Sequence, residues 1–73
     1  MNRELLLQIE KETGFTAFEN ENQGNIQFTF YGTSDKYSDF KTLIADHATN
    51  ASIAYLMDTG ESHMYSAFKN TWY

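Results

Sequence analysis

GNIQFTFYG, residues Gly24 to Gly32, sets Ile26, Phe28 and Phe30 against Gln27, Thr29 and Tyr31. Apolar and polar side chains that alternate over this length point to opposite faces of an extended chain, and the flanking glycines bound the run. The pattern predicts a half-buried β-strand with an aromatic inner face, placed in the interior of a small sheet.

Working upstream, Phe15 to Asn20 reads as a shorter strand, with Phe15 and Ala17 facing one way and Thr16 and Phe18 the other. Asn20 to Gly24 is rich in turn formers, so the two strands are expected to form an antiparallel hairpin with a loop of four to five residues. Glu19 and Glu21 then stand at its tip or edge. Residues 2 to 13 read as a helix, with Asn2 as N-cap, Leu5, Leu6 and Ile9 on one stripe, and Gly14 just past the end.

Downstream, Thr33 and Ser34 supply a cap and Asp35 a first-turn acid. Tyr37, Phe40, Leu43, Ile44 and His47 or Ala48 follow at helical spacing, to an end near Thr49 with Asn50 in the left-handed region. Residues 52 to 57 read as a third strand, with Ile53, Tyr55 and Met57 opposed to Ala54 and Leu56, a pattern compatible with cover on both sides. Asp58-Thr59-Gly60-Glu61 is a tight-turn signal, and Ser62 to Phe68 reads as a fourth strand. The tail ends on Trp72 and Tyr73, which either dock on the domain or mark a contact patch, docking being the commoner outcome. The fold class expected is α+β in the order α-β-β-α-β-β: one domain over residues 1–73, with a four-stranded antiparallel sheet and two helices packed on one face.

A chain of 73 residues has room for one thin core. Its aromatic content of 16% is ample to fill that core, because each buried ring removes roughly 150–250 Å² from water. No cysteine is present, which excludes disulfides and thiolate metal sites and fits a reducing cytoplasm. The apolar runs fall well short of the ~20 residues that span a bilayer, and the N-terminal segment lacks the pattern of a signal peptide. A soluble chain of the cytoplasm, without membrane association, is the expectation. Ten acids against five bases give a formal charge of −5, which argues against direct nucleic-acid binding and is compatible with a basic partner.

The residues suggest no chemistry. His47 and His63 are too few and too isolated for a zinc site unless Asp46 or Asp58 joins them. Paired carboxylates such as Glu19/Glu21 and Asp35/Asp39 could divide acid and base roles only inside a desolvated cleft, and hairpin tips and helix starts are wet. The serines lack a glycine-flanked elbow and a histidine relay, and the four glycines punctuate elements rather than build a phosphate loop. No catalytic residue, metal ligand or cofactor site is assigned, and the chain is read as non-enzymatic. The carboxylates Glu19, Glu21, Asp35, Asp39, Asp58 and Glu61 fall at element ends, where one or two negative tracts could imitate the charge row of a nucleic-acid backbone. Tyr31, Tyr37 and Trp72 are the aromatic anchors expected beside them.

Residues 9–14, Ile-Glu-Lys-Glu-Thr-Gly, resemble the end of the first helix in the phage-encoded uracil-DNA glycosylase inhibitors, compact acidic DNA mimics. In that family a glutamate at a spacing matched here by Glu21 enters the enzyme's DNA groove, which is the role the resemblance implies for Glu21. The likeness covers about the first 21 residues; the family's acidic second helix is only faintly echoed by Asp35 and Asp39. In size, charge and richness in Asn, Tyr and Phe the chain is also similar in type to anti-CRISPR proteins, a likeness that transfers no residue roles. The expected function is an inhibitor that acts as an acidic DNA mimic in the cytoplasm of a bacterial host. There it would occupy the basic nucleic-acid-binding surface of a defence or repair complex. The alternative is a small assembly module that forms a homodimer or pairs through a strand edge.

Overall fold

The computed structural model describes residues 3–22, 24–47 and 52–73. In chain order these form α1 (Arg3–Thr13), β1 (Thr16–Asn22), β2 (Asn25–Gly32), a 3-10 turn (Ser34–Lys36) that runs into α2 (Tyr37–Ile44), β3 (Ile53–Leu56), β4 (Glu61–Ser66) and β5 (Thr71–Trp72). The expected cap at Asn2 and the left-handed Asn50 lie outside the described residues, whereas the second helix closes at Ile44, short of its expected end near Thr49, with residues 45–47 in a turn.

α1 forms where the apolar stripe predicts it, and Ile9 is its fully buried member. The helix stops because Gly14 adopts a positive φ of 75° while its amide donates to the Glu10 carbonyl at 2.9 Å, the left-handed cap that favours glycine. Thr13 completes the exit. Its hydroxyl donates to the Ile9 carbonyl at 2.6 Å and accepts from the Phe15 amide at 3.2 Å, so the buried turn keeps its polar groups paired.

The five strands lie in the order β1-β2-β3-β4-β5 in one mixed sheet, which corrects the expected four-stranded antiparallel arrangement. The β1–β2, β3–β4 and β4–β5 pairs are antiparallel; β2 and β3 are parallel, in register from Thr29↔Ile53 to Gly32↔Leu56. A helix between two adjacent strands carries the chain back to the end from which it started, so the second strand runs the same way as the first. The fifth strand comes from the tail. Thr71 and Trp72 pair with Ser66 and Tyr65 after a turn in which Asn70 takes a φ of 56°. The first hairpin is tighter than expected, because the strands run to Asn22 and resume at Asn25.

Ile9, Phe15, Phe28, Phe30, Phe40, Ile44, Ala54 and Leu56 make one buried cluster, with Leu5, Leu6, Ala17, Tyr37, Leu43 and Trp72 packed around it. These residues place both helices on the same face of the sheet, as the alternation in β2 implies. The Phe15 ring stacks on Phe40 with centroids 4.2 Å apart and planes 12° from parallel. On its other side it lies against the backbone of Gly32, where any Cβ would collide with it. Ile26 shares the inner parity of Phe28 and Phe30 yet is exposed, because the helical cover ends before the hairpin.

Candidate functional site

Residues directly opposite one another in adjacent strands share a face, so the register fixes what the side away from the helices presents. From β1 come Thr16, Phe18 and Asn20, and from β2 Gln27, Thr29 and Tyr31. β3 contributes Ile53 and Tyr55, and β4 Ser62, Met64 and Ser66. Thr71 and Tyr73 complete the face, the latter exchanging both backbone hydrogen bonds with Met64. No described element packs over these thirteen residues.

None of the thirteen side chains is charged. All ten acids and five bases of the chain lie on helices, in turns, or at strand positions that point to the helical side. Across the centre of the face runs an aromatic row: Phe18 meets Tyr31 edge-on at 5.5 Å and Tyr31 stacks on Tyr55 at 5.3 Å. Asn20 donates to the Thr29 hydroxyl beside it at 3.0 Å. Phe18, Tyr31, Met64 and Tyr73 are exposed, while Ile53 and Tyr55 are half-buried among them. An exposed surface dense in Tyr, Phe and Met and empty of charge has the composition of the buried centre of a protein interface.

Of the nine residues singled out from the sequence, Tyr31 alone belongs to this face. Glu19 and Glu21 stand exposed on edge strand β1 with the parity of Ala17, opposite Phe28 and Ile26, and so point to the helical side. Asp35, Asp58 and Glu61 lie at the other end of the sheet, beyond the ends of β2 and β3. At the rise of an extended chain, the four steps along β2 from Phe28, opposite Glu19, to Gly32 span about 13 Å, and the six from Ile26, opposite Glu21, span about 20 Å, so the two groups stand apart. Asp39 belongs to neither group. It lines a shallow groove between α1 and α2 with Glu12, Thr13, Thr42 and Leu43.

Three of these acids have partners inside the fold. Asp58 accepts hydrogen bonds from the Ser34 amide, at 2.9 Å, and from the Ser34 hydroxyl, tying the β3–β4 turn to the first turn of the crossover. These bonds to Ser34 hold its carboxyl below the usual carboxylate range, the side-chain bond contributing most. Because the folded pKa is depressed, the stabilisation is present above the unfolded value of about 3.9 and fades as pH falls through the folded value. Asp58→Asn should therefore flatten the acid limb of the stability profile while changing little in its shape above pH 5. An acid unfolding curve identical to that of the wild type would remove this role. Asp35 accepts from the Thr33 hydroxyl, and Glu61 pairs with His63 at 3.3 Å. Among the described residues no lysine or arginine comes within 4 Å of a carboxylate.

Tyr37 and Trp72, expected as surface anchors, are packed into the fold. Trp72 is half-buried, tilted on Phe40 at 5.6 Å and edge-on to Tyr65 at 5.3 Å, so the tail docks. Tyr37 stacks on His63 at 4.7 Å, carries the Lys41 ammonium 4.6 Å above its ring, and has its hydroxyl buried with no partner among the described residues. Burial raises its pKa, and the nearby Glu61 charge adds to the effect. Leaving a buried hydroxyl unpaired costs about 1–3 kcal/mol, so Tyr37→Phe should stabilise the fold, by about 1 kcal/mol. A lower unfolding midpoint in urea would show that the hydroxyl finds a partner.

Phe18, Ile53, Tyr55 and Met64 are not singled out by the sequence as surface residues, and Tyr73 is so only as one of two outcomes for the tail. The signal was available in the alternation of each strand; what was absent was knowledge of which parity the helices cover. Phe68, expected inside a fourth strand, is fully exposed in the β4–β5 turn. Among the described residues no three His, Asp or Glu side chains gather to hold a metal ion, and no helix is long and apolar enough to cross a membrane. No protein-family model matches the chain, and comparison with curated proteins and with solved structures gives no match.

Proposed function

We propose that this protein is a non-enzymatic binding module whose working surface is the outer face of its sheet, and that what it binds is protein. The observation that carries this reading is the exclusion of all fifteen charged side chains from thirteen adjoining positions that hold a continuous Phe18–Tyr31–Tyr55 row. Interface centres are depleted in charge and enriched in aromatic residues, and rigid tyrosines lose little entropy when covered. Phe18→Lys and Met64→Lys, at exposed positions, should abolish the specific protein contacts of the tagged chain and leave its circular dichroism unchanged. Capture of the same proteins by the wild type and both variants would sink the reading.

A second reading is favoured by the carboxylates. Glu19 and Glu21 project from the edge strand with no lysine or arginine within 4 Å among the described residues, and the chain carries a net charge of −5. Such a surface suits long-range steering toward a cationic groove, so an inhibitor that occupies the basic nucleic-acid-binding surface of a bacterial defence or repair complex, of the anti-CRISPR type, remains the alternative proposal. On this reading Glu19→Gln with Glu21→Gln weakens binding to the basic partner and reduces its dependence on salt. The lysine substitutions on the sheet face would then leave that binding intact.

A further inference from the structure

Resting on the first of these readings, we infer that the occupant of the outer sheet face is a second copy of this chain, packed face to face about a two-fold axis near Tyr31 and Tyr55. A two-fold interface sets the patch against a second copy of itself, so a charged side chain in it is buried in both copies and must be paired reciprocally or lose its hydration. Two chains of charge −5 repel on approach, and the outer face, which holds no charged side chain, adds neither local repulsion nor the cost of burying a charge when two copies meet on it.

The competing self-contact is the free edge of β1, and its own residues oppose it. Antiparallel pairing of that edge with its image would bring Glu19 and Glu21 of one copy beside the same residues of the other, on one face of the joined sheet. The available area also suits a dimer. Phe18, Tyr31, Met64 and Tyr73 are 55%, 37%, 52% and 61% exposed. At roughly 200 Å² for each side chain these four leave about 400 Å² per copy, hence about 800 Å² for two. The smaller polar residues around them bring the total into the range of about 1,200–2,000 Å² typical of stable interfaces. Stacked sheets pack about 10 Å apart, which leaves room for the aromatic rows to interdigitate.

Sedimentation equilibrium tests the inference on the full chain. The 8.5 kDa chain should sediment as a dimer of 17 kDa (2 × 8.5), and the dimer should tighten as sodium chloride rises from about 50 to about 500 mM, because screening relieves the repulsion between two acidic copies. Phe18→Lys and Met64→Lys, tested separately, should each raise the dimer dissociation constant at least roughly tenfold by burying an unpaired ammonium in each copy. Phe68→Ala, off the face, should leave it unchanged. A monomer at high salt, or a dimer indifferent to both lysine substitutions, overturns the inference. The binding-module reading falls separately: it survives a monomeric wild type if the lysine variants still lose their protein contacts, and fails if they keep them.

Discussion

Gly32→Ala should lower the stability of this protein by about 3 kcal/mol or more, the upper part of the range for forcing an atom into a filled core. The added methyl would overlap three carbons of the Phe15 ring. That ring cannot retreat, because Phe40 is stacked on its other face at 4.2 Å and both rings are fully buried. A chain of 73 residues has a total stability on the order of 4–11 kcal/mol, so the substitution removes a large share of it. At about 4–8 °C per kcal/mol, the thermal midpoint should fall by at least 12 °C. Gly32 has no positive φ, so backbone strain cannot account for the loss. A double-mutant cycle isolates the cause: in a Phe15→Ala background the same substitution should become nearly neutral. A midpoint within 2 °C of the wild type for the single variant would mean that the ring does not lie against the strand.

Phe40→Ala should be comparably severe. Phe40 joins the layers, in contact with Phe15 and Phe30 in the core, with Tyr37 one turn before it, and with Trp72 from the tail at 5.6 Å. Truncating a buried phenylalanine costs about 3–5 kcal/mol, and each ring pair lost adds to that. The variant should be largely unfolded at 37 °C. Trp72 is the single tryptophan, so its fluorescence reports the outcome: a red shift to the value of the denatured chain is expected at that temperature. Phe40→Leu, which keeps most of the volume, should retain a folded emission spectrum. A native spectrum and a midpoint near that of the wild type for Phe40→Ala would place the core elsewhere.

Much of this architecture was legible in the residues because it depends on short-range alternation. The parity of Phe28 and Phe30, the stripe of Leu5, Leu6 and Ile9, and the cap at Gly14 each follow from a few neighbouring side chains, and each is found in the structure. Strand direction is a different kind of fact. Nothing in residues 53–56 records which way they run; the helix that precedes them decides it, and reading two separate hairpins concealed the parallel pair. Trp72 was ambiguous for the same reason, since a terminal aromatic docks only if a strand edge and an open core margin await it. The outer face was hidden more thoroughly. Its residues are scattered through five strands and become a surface only once the register sets Phe18, Tyr31 and Tyr55 side by side. Counting acids drew attention to Asp58 and Glu61, whereas the fold uses the first to hold Ser34 and pairs the second with His63.

The parallel seam between β2 and β3 divides the molecule into two parts that can each be assembled from close neighbours: a helix and hairpin before it, a three-stranded meander after it. Only four residue pairs stitch the parts together along the backbone, and the loop that must close before they meet is the longest in the sheet. Assembly of the whole is thereby tied to a late, entropically costly docking step, with Asp58 as a latch drawn across the junction once the meander has arrived.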